Sequence, residues 1–314
     1  MKDDFPNSTK ILKTASSSSF NKKDTLSTKL IAVEDYNLDY TLDSGQTFRW
    51  KKIDGGWEGV VNGRWVRIEE HKQGIFAKVY GKIENWQWLE DYLQVNINLN
   101  RIIKTFPRDE YLATAVAECR GLRIVKQEPW ECLASFLMSS SKQIVQIKQI
   151  ISNLCCRFGR KIKTPPYREQ QCTFPEIETI VMADELALRD CKMGFRAAFL
   201  KNSAIHILKN RINLADLSNL PVEDARNVLM ELPGVGAKIA NCVLLFSLGF
   251  YQAFPVDVWV KKALQRFYFD DKLTKNRELK EFASNYFGEY GGYAQQYLFH
   301  YIRTKLDTDR KPKK

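Results

Sequence analysis

Residues 231–243 read ELPGVGAKIANCV, and no other stretch of the chain restricts its fold so tightly. A helical pattern starts at Pro221 and runs through VEDARNVLMEL, and a second begins directly after Leu-Pro-Gly-Val-Gly, so two helices must reverse on a very short turn. The small residues of that turn leave backbone N–H groups exposed at the start of the second helix. Gly234 and Gly236 therefore mark a place where a phosphate can come up to the main chain. A helix-hairpin-helix of this kind grips DNA without reading sequence, although any tight helix connection also favours glycine.

The charge balance agrees with a polyanion partner. The chain of 314 residues carries 48 Lys and Arg against 37 Asp and Glu, a formal charge of +11. A composition 44 % hydrophobic and 12 % aromatic describes a folded protein, and no apolar run reaches the length of a membrane helix, so no membrane partner is expected. The seven cysteines (Cys119, Cys132, Cys155, Cys156, Cys172, Cys191, Cys242) are odd in number and never spaced as CxxC. They read as reduced, buried thiols, and neither a zinc site nor an iron–sulfur cluster is expected.

The fold class expected is α+β. Residues 1–28, with TASSSSFNKKDTLSTK, hold too few apolar groups to offset the entropy of ordering and read as a flexible tail. That tail has no secretory core, and its three Asp and absence of Arg argue against a transit peptide. From Thr47 to Tyr80, β-branched and aromatic runs are separated by Asp-Gly-Gly, Asn-Gly and a further glycine turn, which predicts an antiparallel meander of about four strands within an N-terminal domain, 29–121. Beyond Trp86 the period becomes helical and stays so: Pro129 starts one helix, and Ile144, Ile147, Ile150, Ile151, Leu154 and Phe158 stripe the next. Residues 122–306 form the helical domain with the hairpin, and 307–314, with RKPKK, a basic tail that reads as a charged end or a nuclear address.

Lys238 falls on the first turn of the hairpin's second helix, where the helix dipole opposes a positive charge. A free amine is favoured there, and a neutral lysine amine is a nucleophile able to attack a sugar C1′ as a base departs, giving a Schiff base. A phosphate contact is the plainer use of the same residue. In AFPVDVWVKKALQRF, Asp257 precedes a helix patterned by Val258, Val260, Leu264 and Phe267, so it is an N-cap. A capping carboxylate still has an oxygen for a cleft, where it would stabilise an oxocarbenium-like sugar or help move a proton from the amine.

LPGVGxK followed by PVDV resembles the helix-hairpin-helix DNA glycosylases, and DSGQTFRW (43–50), QEPWECLASFLMSS (127–140), MGFRAAF (193–199) and GGYAQQYLF (291–299) are similar, in the same order, to the 8-oxoguanine DNA glycosylase family. The likeness spans about residues 30–305. It implies that Lys238 is the Schiff-base nucleophile, Asp257 the catalytic carboxylate, and Gly45 the carbonyl that accepts the N7 hydrogen of 8-oxoguanine, which guanine lacks. Gln295 would then meet the Watson–Crick edge, with Phe299 and Cys242 on the two faces of the flipped base. Gln295 and Phe299 are four apart, one helix face, so the spacing agrees. The resemblance further implies double-stranded DNA as partner, an intracellular, DNA-associated monomer whose compartment stays open, and no cofactor beyond a structural monovalent cation on hairpin carbonyls. A relative that removes other damaged purines, or a non-catalytic hairpin module, would share much of this pattern.

One segment departs from the family. Where vertebrate-type members have SSNNNIAR, filling the vacated stack with Asn and reading the opposite cytosine with Arg, this chain has SSSKQIVQ, placing Ser141 and Gln146 there. Phe195 stands for the Tyr wedge, Arg196 keeps a guanidinium able to fork to cytosine, and Trp259 replaces a frequent His. With one arginine fewer, discrimination for cytosine opposite the lesion is expected to loosen. Excision rates measured opposite all four bases should lie close together, and a strong remaining preference for cytosine would overturn this.

Overall fold

The structure, a computed structural model, describes residues 26–140 and 142–306. Its N-terminal half is a five-stranded antiparallel sheet in the order β1-β5-β4-β3-β2: β1 Leu26–Ala32, β2 Lys51–Ile53, β3 Gly56–Val61, β4 Arg64–His71 and β5 Gly74–Tyr80. Asp54-Gly55 and Asn62-Gly63 turn the first two hairpins with positive φ at both residues, as tight two-residue turns require.

One strand more is present than the meander predicted. Leu26–Ala32 pairs along its whole length with β5, from Leu26 opposite Tyr80 to Ala32 opposite Gly74, so residues 26–28 belong to the sheet and not to a tail. The reason is position. As an edge strand β1 buries Ile31 alone: Leu26, Thr28 and Leu30 are exposed, and the inward Ser27 and Lys29 are polar, bonded to Gly81 and Glu90, so no apolar alternation marks it. The rest of the predicted tail, the basic end and Ser141 lie outside the described residues.

Two cores follow. Trp50, Trp57, Ile68, Val79, Leu89 and Leu93 close the sheet against the helix Gln87–Leu93, while the helical half shares a larger core. At the centre of that core lies the hairpin's second helix, Ala237–Phe246, in which every residue from Ile239 onward is buried. The hairpin's first helix is Val222–Met230, and the helices Pro129–Leu137, Val258–Tyr268 and Gly291–Tyr301 complete the surround of the cleft. Six cysteines are buried free thiols, but Cys156 is exposed, because it falls on the solvent side of the helix Ile144–Phe158. No group of three metal-ligating side chains occurs among the described residues, and none of their helices is long and apolar enough to cross a membrane.

The C-terminal helix approaches the central one closely at Gly292. A β-carbon there would lie 2.3 Å from Leu245 Cδ1 and 2.7 Å from the Ala253 carbonyl, while its N–H already donates to the Tyr251 carbonyl at 2.7 Å. The Gly292→Ala variant should therefore lose about 1–3 kcal/mol, the usual cost of overpacking. Chemical denaturation would show it as a lower midpoint, and an unchanged midpoint would refute the close approach.

Candidate active site

Gly236 is the N-cap of the helix Ala237–Phe246, so Lys238 stands on its first turn as its position in the hairpin requires. The half-buried ammonium lies 5.0 Å from the centroid of the Phe136 ring and donates to Ser139 Oγ at 3.3 Å. Phe136 and Ser139 are one turn apart at the end of the helix Pro129–Leu137, so a single helix end positions the lysine. Cys242 lies one turn beyond Lys238, and burial pushes its thiol up to about 11 against the opposing pull of the lysine.

Asp257 caps the helix Val258–Tyr268, its Oδ1 accepting from the Val260 N–H at 2.8 Å. Burial holds its carboxyl above the usual carboxylate range, and the Val260 and Trp259 N–H groups with the charges of Lys238 and Arg303 offset only part of that rise. Gly45 adopts φ +75°, a left-handed conformation that glycine takes without strain. A β-carbon there would lie 3.4 Å from the Phe299 ring and 3.1 Å from Ile144.

Gln295 and Phe299 share one face of the helix Gly291–Tyr301. The Gln295 Oε1 is buried without a hydrogen-bond partner, and Phe299 is half-buried. Gly45, Lys238, Cys242, Asp257, Gln295 and Phe299 line one cavity of about 40 Å³. It opens on a cleft of about 970 Å³, bounded by Ser139, Gln143, Lys238, Asp257, Trp259 and Arg303. The six residues expected to hold base and sugar are thus brought together.

The DNA-facing residues are placed differently. Gly234, at φ +81°, turns the hairpin against Phe199, where a β-carbon would come within 2.6 Å, whereas nothing lies within 4 Å of one at Gly236, leaving that backbone open to a phosphate. Phe195 is 59 % exposed and meets Phe199 edge to face. Arg196 is not a free fork: its guanidinium stacks on Phe195 at 4.4 Å, donates to the Ser140 carbonyl, and is 5 % exposed. Gln146 is exposed, but its Oε1 accepts from the Gln143 N–H at 3.1 Å and closes a capping box.

Sequence reasoning passed over Phe136, Ser139 and Arg303. The first two were legible as the i and i+3 pair closing WECLASFLMSS; Arg303 was signalled by its place one turn after Phe299.

Comparison with known proteins agrees with this geometry. Residues 29–133 match the family model described as 8-oxoguanine DNA glycosylase, N-terminal domain, and residues 134–288 that of the HhH-GPD superfamily base excision DNA repair protein. A probable N-glycosylase/DNA lyase of Methanothermobacter thermautotrophicus is 27 % identical over 89 % of this chain and 97 % of its own. The N-glycosylase/DNA lyase of Saccharomyces cerevisiae is 28 % identical over 79 % of this chain and 72 % of its own. The Clostridium acetobutylicum 8-oxoguanine glycosylase/lyase, solved with double-stranded DNA containing cytosine opposite 8-oxoG, superposes with a TM-score of 0.82 at 30 % identity, covering 91 % of this chain and 100 % of that one. With both halves matched in order, the chain belongs to the 8-oxoguanine DNA glycosylase family of the helix-hairpin-helix base excision repair superfamily.

Proposed function

We propose that the protein extrudes 8-oxoguanine from double-stranded DNA, excises it, and cleaves the strand at the abasic site, with Lys238 as nucleophile and Asp257 as its carboxylate. Membership of the family makes the chain a DNA glycosylase with lyase activity. The assignment to residues is supported by one observation: amine, carboxylate and the four base-pocket residues line a single cavity.

In this reading Gly236 and Gly234 bring the backbone to a phosphate, Phe195 enters the stack, Gln146 faces the opposite strand, and Arg196 reaches it only on leaving the Phe195 ring and the Ser140 carbonyl. The Gly45 carbonyl accepts the N7 hydrogen of the lesion, and guanine is rejected because its N7 lone pair would face that carbonyl unpaired. Phe299 and Cys242 cover the two faces, and the unpartnered Gln295 Oε1 takes a donor from the base edge.

As the C1′–N9 bond breaks, its electron pair leaves with the base, and the Lys238 nitrogen bonds to C1′ while Asp257 steadies the cationic sugar. The amine gives up a proton, the C1′–O4′ bond opens with that oxygen protonated, and an imine forms. Loss of a C2′ proton then expels the 3′-phosphate. These steps call for protein groups alone. A monovalent cation at the hairpin would be structural, held by backbone carbonyls: those of Leu232 and Pro233 accept from the Val235 N–H at 3.0 Å and the Ser203 hydroxyl at 2.8 Å, each keeping a lone pair. The protein would act as a monomer wherever its DNA is.

Borohydride should trap wild-type protein on an 8-oxoguanine duplex, and the Lys238→Gln variant should bind that duplex without being trapped. Trapping of the variant, or salt-dependent loss of affinity in place of lost chemistry, would remove Lys238 as nucleophile.

Asp257→Asn separates cap from chemistry. Asparagine caps as well as aspartate. Because the folded carboxyl sits above the unfolded value of 3.8, its ionisation costs stability as pH rises through that window, so the variant should be at least as stable at neutral pH. Excision should nevertheless fall about 10²–10³-fold, and the acid limb expected of wild type from a carboxyl raised above its usual range should be absent from the variant. An unaltered pH–rate profile would count against the role.

A further inference from the structure

The base pocket is too small for a base. Its volume of about 40 Å³ holds a few waters and not a two-ring purine, and the Phe299 ring that lines it stands within 3.4 Å of where a β-carbon on Gly45 would lie. Phe299 therefore has to move before a base can enter.

What holds the ring is Arg303, one turn further along the chain. Its guanidinium stands 5.5 Å from the Phe299 ring centroid and donates through Nη2 to the backbone carbonyl of Asp43, on the segment that carries Gly45. Its Nε is buried without a partner. Among the described residues no carboxylate forms an ion pair with it: the Asp43 carboxylate pairs with Lys148 at 3.3 Å, and the charges of Asp43 and Asp257 act on Arg303 only through space. Arg303 is thus a cation whose direct contacts are a ring face and one neutral oxygen, on the wall of a cleft that also presents Lys142, Lys238 and Lys261. A phosphate would serve it better on every count, offering charge and several acceptors to a planar fork.

We propose that Arg303 is a positioning residue that acts as a phosphate-triggered latch. Without DNA it pins Phe299 over the base pocket; on binding it exchanges the ring and the Asp43 carbonyl for a phosphate of the damaged strand, and Phe299 is released. Opening of the pocket is then coupled to engagement of the backbone, so that the pocket stays shut to free bases. The inference rests on the proposed function for the identity of the strand and the base.

Two measurements on Arg303→Met and Arg303→Lys test it, alongside thermal melts. Affinity for a duplex carrying a tetrahydrofuran abasic analogue needs no chemistry and no base. The log–log salt slope should flatten by about one unit in the methionine variant and return with lysine. Binding of free 8-oxoguanine to the DNA-free protein should move the other way, tightening about two- to fivefold in the methionine variant, the worth of a half-exposed cation–π contact. Should that variant not fold, Arg303→Gln supports both readings. An unchanged slope, or free-base affinity that stays level or falls, would overturn the latch. A merely structural role would lower the melting temperature and leave the slope alone. If wild type excises no 8-oxoguanine, the assigned function fails while the slope measurement still stands.

Discussion

The site depends on one buried amide. Gln46 is fully buried, and its Nε2 donates to the Thr41 carbonyl at 2.8 Å and the Arg123 carbonyl at 2.7 Å, while its Oε1 accepts from the Val125 N–H at 2.8 Å. It bonds two of the stretches of chain that pass between the two cores, and losing it would strand buried backbone groups at about 1–3 kcal/mol each. The same link continues outward. Gln127 donates to the Gln46 carbonyl at 2.8 Å, Ser247 Oγ donates to the Gln127 carbonyl at 2.8 Å, and Gln296 donates to the Ser44 carbonyl at 3.0 Å. Gly45, lying between two anchored residues, is thereby referred to the end of the Lys238 helix and to the helix of Gln295 and Phe299. A backbone carbonyl can discriminate one hydrogen only if it does not drift, and these bonds fix it.

Charge is arranged on a different logic. Asp257 is buried at a cost, which the N–H groups of its own helix and two cations, Lys238 and Arg303, partly offset. Among these three groups the cleft is left with one positive charge in excess. A DNA backbone supplies the missing negative charge, so the cleft is electrostatically complete only in the complex. A carboxylate locked by a cap cannot turn away as that balance shifts, which keeps it on the wall it shares with Lys238.

Much of this was legible in the sequence, and what escaped did so for physical reasons. Lys238 and Asp257 were readable because a hairpin and an N-cap are local: their geometry is set by residues within one turn. Gln295 and Phe299 were readable as one face of a helix. Strand β1 was not, because an edge strand with one buried residue lacks the alternation that marks its neighbours. The stacking of Arg196 on Phe195 and the use of Gln146 as a cap also escaped, since a polar side chain chooses among partners that only the folded chain presents. Gln46 belongs to the DSGQTFRW motif, yet its role depends on residues some 80 positions away.

The two faces of the cleft accordingly differ in what they can tolerate. On the lesion side, Gly45, Cys242 and Gln295 are built into buried networks or packed helices, where a changed residue leaves cavities or unpaired groups and costs stability as well as activity. On the opposite-strand side, Phe195 and Gln146 stand exposed at a loop end and a helix start, and replacing them breaks only local contacts: a ring under Arg196 and against Phe199, and a capping box. Exposed positions can change without moving the Gly45 carbonyl, to which the proposed reading gives recognition of the damaged base. That asymmetry explains how SSSKQIVQ can replace the vertebrate-type segment while the pocket, the amine and the carboxylate remain where the fold requires them.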